Sequence, residues 1–154
     1  MSDVHGEDDL AALEGAIDSW LAQARVDNDI IAAVDRDAEV PRRWYVRLWG
    51  EEKDVTTVWL TLGQRTLRYE TYVMPAPEEN HAQFYEHLLR RNDGLVGAHF
   101  SIGAEDAVFL RGELPVAGLD AAELDRILGT VYAAVERCFR PALAIGFESR
   151  FRTG

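Results

Sequence analysis

The order of hydrophobic patterns is the feature that most restricts the fold of this 154-residue chain. Apolar residues recur at spacings of three and four near the start, then alternate with polar residues in three consecutive runs. A second helical pattern, two further strand patterns and a long helical pattern follow. The sequence therefore predicts a single-domain α+β fold of order α-βββ-α-ββ-α, with an antiparallel sheet packed against helices.

The first helical pattern is followed by an acidic segment from 26 to 41. The apolar stripe of the helix consists of Leu10, Leu13, Ile17, Trp20, Leu21 and Ala24. The acidic segment lacks the glycine and the final glutamate of an EF-hand calcium loop, so a cation site is disfavoured. We interpret it as a connector with a short apolar anchor at Ile30, Ile31 and Val34.

Alternation sorts the side chains of the three strands onto two faces of the sheet. The inward residues are Trp44, Val46, Leu48, Val58, Leu60, Leu62, Leu67, Tyr69 and Val73. The outward residues are Tyr45, Arg47, Trp49, Thr57, Trp59, Thr61, Arg68, Glu70 and Tyr72. Short polar connections at 50–54 and 63–65 predict an antiparallel meander. One face is therefore an apolar core, and the other mixes arginine with large aromatic side chains.

The second half contains two helices separated by a hairpin around Gly103 to Asp106. The first of these helices has the predicted buried stripe Phe84, Tyr85, Leu88 and Leu89. Two motifs predict where this helix ends. Arg90-Arg91 is explained better by helix termination than by a phosphate site, because cations stabilise the C-terminal end of a helix. Asn92-Asp93-Gly94 offers left-handed conformations for a cap.

Pro115 is expected to end the last strand, and Asp120 to cap the final helix. The core stripe of that helix is Leu124, Ile127, Leu128, Val131, Val135, Cys138 and Phe139. Pro141 is expected to kink or end the helix, because proline lacks the backbone N–H that the helix needs.

Length, charge and cysteine content restrict the function classes. One domain over residues 1–154 suits the length, with 1–8 frayed. The net charge is −11, and residues 1–40 alone carry −9, which we interpret as a solvated helix face and terminus. Such a chain repels phosphate backbones, so nucleic acid is not an expected partner. There is no secretory signal, no membrane-spanning run and only one cysteine, so we expect a cytoplasmic protein without a membrane partner.

Four runs of residues in the second half of the chain occur together: Leu88-Leu89-Arg90-Arg91-Asn92, Phe109-Leu110-Arg111-Gly112-Glu113-Leu114-Pro115, Leu124-Asp125-Arg126-Ile127-Leu128-Gly129 and Gly146-Phe147. This combination resembles the actinobacterial branch of the YbjN domain family. The resemblance covers the chain from about Trp44 to Phe147 and departs from the family at Pro141. The resemblance implies the fold of class I type III secretion chaperones, which commonly dimerise and bind polypeptides. Members of the YbjN family are often labelled sensory-transduction regulators. A homodimer is therefore expected.

No residue pattern indicates catalysis. The histidines at 5, 81, 87 and 99 have no metal-ligand spacing, and no glycine-rich phosphate loop occurs. His99 and Ser101 share a strand face but lack the third group and the oxyanion donors that nucleophilic catalysis needs. Cys138 lies on an apolar stripe, which favours a buried structural thiol. We expect a protein that is not an enzyme and needs no metal or organic cofactor.

Two functional hypotheses remain. The first is a polypeptide-binding module, chaperone-like or adaptor-like, whose open sheet face or helix grooves receive an extended or helical segment of an unidentified protein partner. Its candidate contact residues are Tyr45, Arg47, Trp59, Arg68, Tyr72, Phe109 and Arg111. The second is a regulatory domain that senses a small anion through Arg47, Arg68 or Arg111. A broad aromatic face favours the module, and a closed cavity with a converging arginine favours the sensor.

Overall fold

The computed structural model describes residues 6–151, which form one six-stranded antiparallel sheet and four helices. The helices are α1 (Glu7–Asp27), α2 (His81–Asp93), α3 (Ala121–Gly146) and α4 (Glu148–Phe151). The strands are β1 (Ile31–Arg36), β2 (Arg43–Trp49), β3 (Val55–Leu62), β4 (Thr66–Met74), β5 (His99–Ile102) and β6 (Val108–Pro115). Their order across the sheet is β1-β2-β3-β4-β6-β5. The predicted α+β class is confirmed.

The segment interpreted as a connector forms the edge strand β1, so that interpretation is wrong. Val34 pairs with Val46 of β2, and Ile31 is buried. Two alanines and the acidic flanks obscure the strand in the sequence, because these residues have low β propensity and β1 buries little of its length. Pairing with β2 supplies the hydrogen bonds that the local sequence does not predict. The element order is therefore α-ββββ-α-ββ-α-α.

The predicted alternation in the meander is confirmed. All nine inward residues are buried, together with most of the apolar stripes of α1, α2 and α3, in one core between the sheet and the helices. Six of these side chains have at most 1% exposure, namely Trp44, Val46, Val58, Leu60, Leu67 and Val73. The helices therefore lie on one face of the sheet, which we call the inner face.

The acidic face of α1 is held to the sheet by ion pairs and is not simply solvated, which corrects the sequence interpretation. Arg36 pairs with Glu14 and, at 3.1 Å, with Asp18. Arg42 pairs with Glu14 at 3.1 Å and also with Glu7. The indole of the buried Trp44 donates to Asp18 at 2.7 Å. The carboxylates thus fix the position of α1 through partners distant in sequence.

The end of α2 differs from the prediction in two details. Phe84 and Leu88 are buried, but Leu89 is 68% exposed because it lies one position beyond the stripe that faces α3 and β5. Gly94 ends the helix with φ −94°, so no left-handed cap forms there. Asn92 instead fixes this end, since its side chain exchanges two hydrogen bonds with the backbone of Phe100 at 2.6 and 3.1 Å.

Helix α3 continues through Pro141 to Gly146 and therefore does not end at the proline. Proline removes the hydrogen bond to the carbonyl of Arg137, but Arg137 and Arg140 are exposed, so this turn faces water that can satisfy the carbonyl. On the opposite side, Cys138 and Ala142 remain in the core. Packing of the stripe on both sides of Pro141 offsets the lost bond.

The structure confirms the predicted hairpin, the end of β6 and the cap of α3. β5 and β6 form a hairpin whose turn contains a short 3-10 segment at Ala104–Asp106. β6 ends at Pro115, and the Asp120 carboxylate accepts from the N–H of Glu123 at 2.8 Å. Residues 1–8 form the segment predicted to be frayed. Of these, 1–5 lie outside the described residues, and the acidic residues 7 and 8 belong to α1.

Two properties of the described residues bear on the protein class. Cys138 is buried, as predicted, and burial raises the pKa of its thiol to about 11. Among residues 6–151, no helix combines the length and apolar character that crossing a membrane requires.

We predict that Gly112→Ala destabilises the protein by about 1–3 kcal/mol. A Cβ at Gly112 would lie 2.1 Å from the carbonyl oxygen of Gly97 and 2.6 Å from the ring of Tyr69. That ring is fixed, because the Tyr69 hydroxyl donates to the Gly97 carbonyl at 2.5 Å. Chemical denaturation of the purified variant measures the change in unfolding free energy.

Gly129→Ala is the matched control. Gly129 lies exposed on α3, and a Cβ there meets nothing within 4 Å. Alanine should stabilise the helix at this position by up to about 1 kcal/mol. Equal effects of the two substitutions would contradict the close packing at Gly112.

Candidate binding face of the sheet

The outer face of the sheet consists of the side chains of β2, β3, β4 and β6 that point away from the helices. No helix of residues 6–151 covers it, because α1, α2 and α3 all contribute to the core on the inner face. All seven candidate contact residues belong to this outer face: Tyr45, Arg47, Trp59, Arg68, Tyr72, Phe109 and Arg111. The structure thus brings together what alternation predicts.

Tyr45 and Trp59 form the first aromatic cluster. They are directly paired across β2 and β3, and their rings meet edge to face with centroids 6.0 Å apart. The Tyr45 hydroxyl donates to the carboxylate of Asp37, which also accepts the N–H groups of Val40 and Glu39 at 2.7 and 2.8 Å. These donors, the hydroxyl foremost, lower the pKa of Asp37 to about 2. The cluster is therefore anchored to the loop after β1.

Tyr72, Phe109 and Arg111 form the second cluster. The rings of Tyr72 and Phe109 are 5.7 Å apart and nearly perpendicular. The guanidinium of Arg111 lies 4.5 Å from the centre of the Phe109 ring and donates to the Glu70 carboxylate at 2.8 Å. Its charge is thus largely compensated by Glu70, which makes Arg111 a poor receptor for a separate anion.

Phe109 lies on the outer face but is only 8% exposed. Arg111 covers its ring, and the turn at Gly103 packs so closely that a Cβ there would come within 2.4 Å of the ring. Phe109 therefore supports Tyr72 and Arg111 from below rather than presenting a surface itself. Sequence alternation assigns Phe109 to the correct face, but it does not predict that Arg111 and the turn at Gly103 cover the ring.

Lys53, which sequence reasoning did not assign to the face, lies at its margin. Its ammonium group donates to the carbonyls of Tyr72 and Val73 at 2.8 and 3.0 Å and lies 5.4 Å from the centre of the Tyr72 ring. Burial lowers the pKa of Lys53 to about 8. Nothing in the local sequence indicates this position, because it depends on how the β2–β3 turn docks.

The β2–β3 turn is held against α3 by Glu136. Its carboxylate accepts the N–H groups of Glu51 at 2.5 Å and of both Glu52 and Lys53 at 3.1 Å. Although burial opposes ionisation of Glu136, these donors outweigh it and leave the pKa of this carboxyl lowered. The anchored turn places Lys53 beside Tyr72.

Two exposed arginines of the outer face, Arg47 and Arg68, form no ion pair within residues 6–151. Arg68 nevertheless lies directly opposite Glu113 of β6 on the same face. The two arginines lie on different strands, separated by β3, so they do not converge on one point. The face therefore offers separate cations beside aromatic rings and not a single anion pocket.

The outer face displays large aromatic side chains to solvent. Trp49 and Tyr72 expose 57% and 42% of their surfaces, an unusual display of large aromatic area. Within residues 6–151, no group of three or more histidine, cysteine, aspartate or glutamate residues is placed to hold a metal ion. Trp49 also extends the face beyond the seven predicted residues.

This architecture is the α+β fold of type III secretion chaperones. It is similar to a chain in the structure of the HopA1-SchA chaperone-effector complex, with a TM-score of 0.60, 9% identity, and coverage of 88% of this chain and 98% of that chain. It is also similar to a chain of the heterodimeric ExoU-SpcU complex from the type III secretion system of Pseudomonas aeruginosa, with a TM-score of 0.51, 15% identity, and coverage of 81% and 98%.

The chain belongs to the YbjN family, whose model carries the description "Putative bacterial sensory transduction regulator" and matches residues 14–144. An uncharacterised protein of Mycobacterium tuberculosis is 34% identical over 114 residues, which is 74% of this chain and 62% of the relative. An uncharacterised protein of Mycobacterium leprae is 36% identical over 107 residues, which is 70% of this chain and 58% of that relative. The matched segment is thus about three fifths of the length of these relatives. The family resemblance seen in the sequence is confirmed.

We predict that Tyr45→Phe raises the pKa of Asp37 toward its ordinary value of 3.8, because the substitution removes the hydroxyl that contributes most to the lowering. Ionised Asp37 stabilises the fold fully above pH 3.8, and this contribution is lost as the pH falls toward 2. The Asp37 contribution to stability should therefore be smaller in the variant, and it is lost over the narrower range between pH 3.8 and the raised folded-state pKa. An NMR titration of the Asp37 carboxyl measures the shift.

Tyr72→Phe serves as the comparison. The Tyr72 hydroxyl donates to no carboxylate within residues 6–151, so this variant should leave the pKa of Asp37 unchanged. An unchanged Asp37 pKa in Tyr45→Phe would show that the two backbone donors alone account for the lowering.

Proposed function

We propose that this protein is a non-enzymatic polypeptide-binding module, chaperone-like or adaptor-like, that acts in the cytoplasm. One observation carries the proposal: the outer face is uncovered and presents two aromatic clusters beside exposed arginines. Trp, Tyr and Arg are the residues in which contact energy concentrates at protein interfaces. The proposed contact residues are those predicted from the sequence, with Phe109 in a supporting position.

The fold comparison supports a protein partner. The two solved structures described above are complexes of two different polypeptides, and one of them is named a chaperone-effector complex. The family description points in turn to a regulatory role. A module that binds a partner, and so controls how much of it is available, is consistent with both the fold comparison and the family description. Neither of them requires that the protein catalyse a reaction.

The anion-sensing alternative has less support from the geometry. It relies on Arg47, Arg68 or Arg111 meeting a small anion, but Glu70 already compensates Arg111. The other two arginines are separated by a strand and lie on an open face. Small-molecule sites normally enclose most of their ligand, which an open sheet face does not do. The polypeptide-binding proposal is therefore preferred.

We predict that Trp59→Ala combined with Arg68→Ala weakens partner capture at least about tenfold, which is about 1.4 kcal/mol. Neither Trp59, which is half-buried, nor Arg68, which is exposed, belongs to the hydrophobic core, so unfolding free energy should change by about 1 kcal/mol or less. Affinity purification from the native cell, with bound proteins and metabolites identified together, provides the partner. Titration of that partner against both forms then measures the loss.

The matched control is Val26→Ala combined with Arg25→Ala. Both residues are exposed near the end of α1, away from the outer face, and the pair removes the same charge. It should leave capture unchanged. A loss of several kcal/mol of stability in the Trp59 and Arg68 variant would make these side chains part of the core and contradict the proposed contact surface.

We predict further that the protein is a homodimer. The family resemblance implies one, and the aromatic area of the outer face exceeds what scattered surface residues account for. Light scattering at micromolar concentration should give about twice the chain mass of 17.3 kDa. A mass near 17.3 kDa over that whole concentration range would contradict this prediction.

A further inference from the structure

A groove between α2 and α3 gathers positive charge on this otherwise acidic protein. One wall is the C-terminal end of α2 with the loop that follows it, and the other is one face of α3. We call it the arginine groove, and its volume is about 590 Å³. Its lining includes Arg90, Arg91, Arg126 and Arg137. It is separate from the outer face, because α2 and α3 pack on the inner side of the sheet.

The positive charge of this groove is only partly compensated. Arg90 pairs with Glu86 at 3.7 Å, and Arg126 pairs with Glu123 at 2.8 Å, both at the surface. Arg91 and Arg137 form no ion pair within residues 6–151, although the chain carries a net charge of −11. Like charges held together repel one another, so an anionic ligand would relieve this repulsion.

The charge of Arg91 also reaches the interior beneath the groove. Together with the stronger effect of burial, it lowers the pKa of His87. It also opposes the rise that burial causes in the pKa of Cys138. His87 therefore favours its neutral form and adds no further positive charge to the groove.

The dimensions of the arginine groove suit a chain-like ligand. Arg126 and Arg137 are eleven positions apart on α3, which at 1.5 Å per residue separates them by about 16 Å along the helix. This distance matches about five residues of extended polypeptide. Between the two arginines, the helix presents Thr130, Ala133 and Ala134, whose small side chains let a backbone approach closely.

The chemistry of the lining specifies the ligand further. Leu95, Phe100 and the 79% exposed Val96 provide an apolar strip beside the arginines. The groove is open to solvent, whereas small-molecule sites bury most of the ligand surface. Carboxylates that meet the guanidinium groups, with an apolar side chain between them, would satisfy both parts of the lining. Asn92 fixes the α2 wall in place through its bonds to Phe100.

We propose that the arginine groove binds an acidic segment of a partner polypeptide, with carboxylates on the arginines and an apolar side chain on the strip formed by Leu95, Val96 and Phe100. This site is additional to the contact surface on the outer face and does not depend on it.

The test uses a fluorescein-labelled peptide of roughly eight residues, glutamates flanking two leucines, and the full-length protein. Fluorescence anisotropy measures its affinity for the wild type and for Arg91→Gln combined with Arg137→Gln. We expect at least about a tenfold loss of affinity in this variant, since both uncompensated cations are removed. Replacing the peptide's glutamates by glutamine should weaken binding to the wild type similarly.

The matched control is Arg25→Gln combined with Arg65→Gln. It makes the same change in net charge at two exposed arginines that form no ion pair within residues 6–151 and lie outside both proposed surfaces, and it should alter peptide affinity less than about twofold. Equal losses in the two variants would overturn the proposal, since general electrostatic attraction would then explain binding.

NMR of the wild-type protein gives a measurement that does not depend on any variant's stability. The labelled peptide should shift the amide signals of Thr130, Ala133 and Val96. No shift at these residues would overturn the proposal. Inorganic tripolyphosphate is the final probe in this NMR experiment. If it shifts these signals and the peptide does not, the groove is a small-anion site and the polypeptide assignment is wrong.

Discussion

The structure depends on one constraint, namely that the sheet is buried on a single face. Successive side chains of a strand point in opposite directions, so packing α1, α2 and α3 against the inner face leaves every second residue of β2, β3, β4 and β6 outside the core. Trp59 stands between the fully buried Val58 and Leu60 and therefore has no place in the core. The aromatic and basic character of the outer face follows from which residues occupy these positions.

Polar contacts fix how the helices sit on that sheet. Glu136 of α3 holds the β2–β3 turn through three backbone N–H groups, and Asn92 at the end of α2 holds β5 through the backbone of Phe100. Carboxylates of α1 meet Arg36 and Arg42 in the same way. Each contact joins a helix to the sheet or to one of its turns, so together they set the helix positions that hydrophobic burial alone leaves adjustable.

The two proposed surfaces differ in what surrounds their arginines. On the outer face, Arg111 pairs with Glu70 and lies on Phe109 as part of an aromatic cluster, while the exposed arginines of that face lie on separate strands. In the arginine groove, four arginines line one cavity, and only Arg90 and Arg126 pair with a carboxylate among the described residues. The first arrangement suits contact with apolar and aromatic groups, and the second suits a negatively charged segment.

The sequence by itself determined the class of fold, the inner and outer sets of the meander, and the face on which Tyr45, Trp59 and Arg68 lie, because period-two alternation is a local property of the chain. Only the tertiary structure decided that 31–36 forms β1, that α3 continues past Pro141 and that Phe109 lies under Arg111. It also brought Arg91, Arg126 and Arg137 to one groove. These outcomes depend on pairing and packing between residues distant in sequence, which no local pattern records.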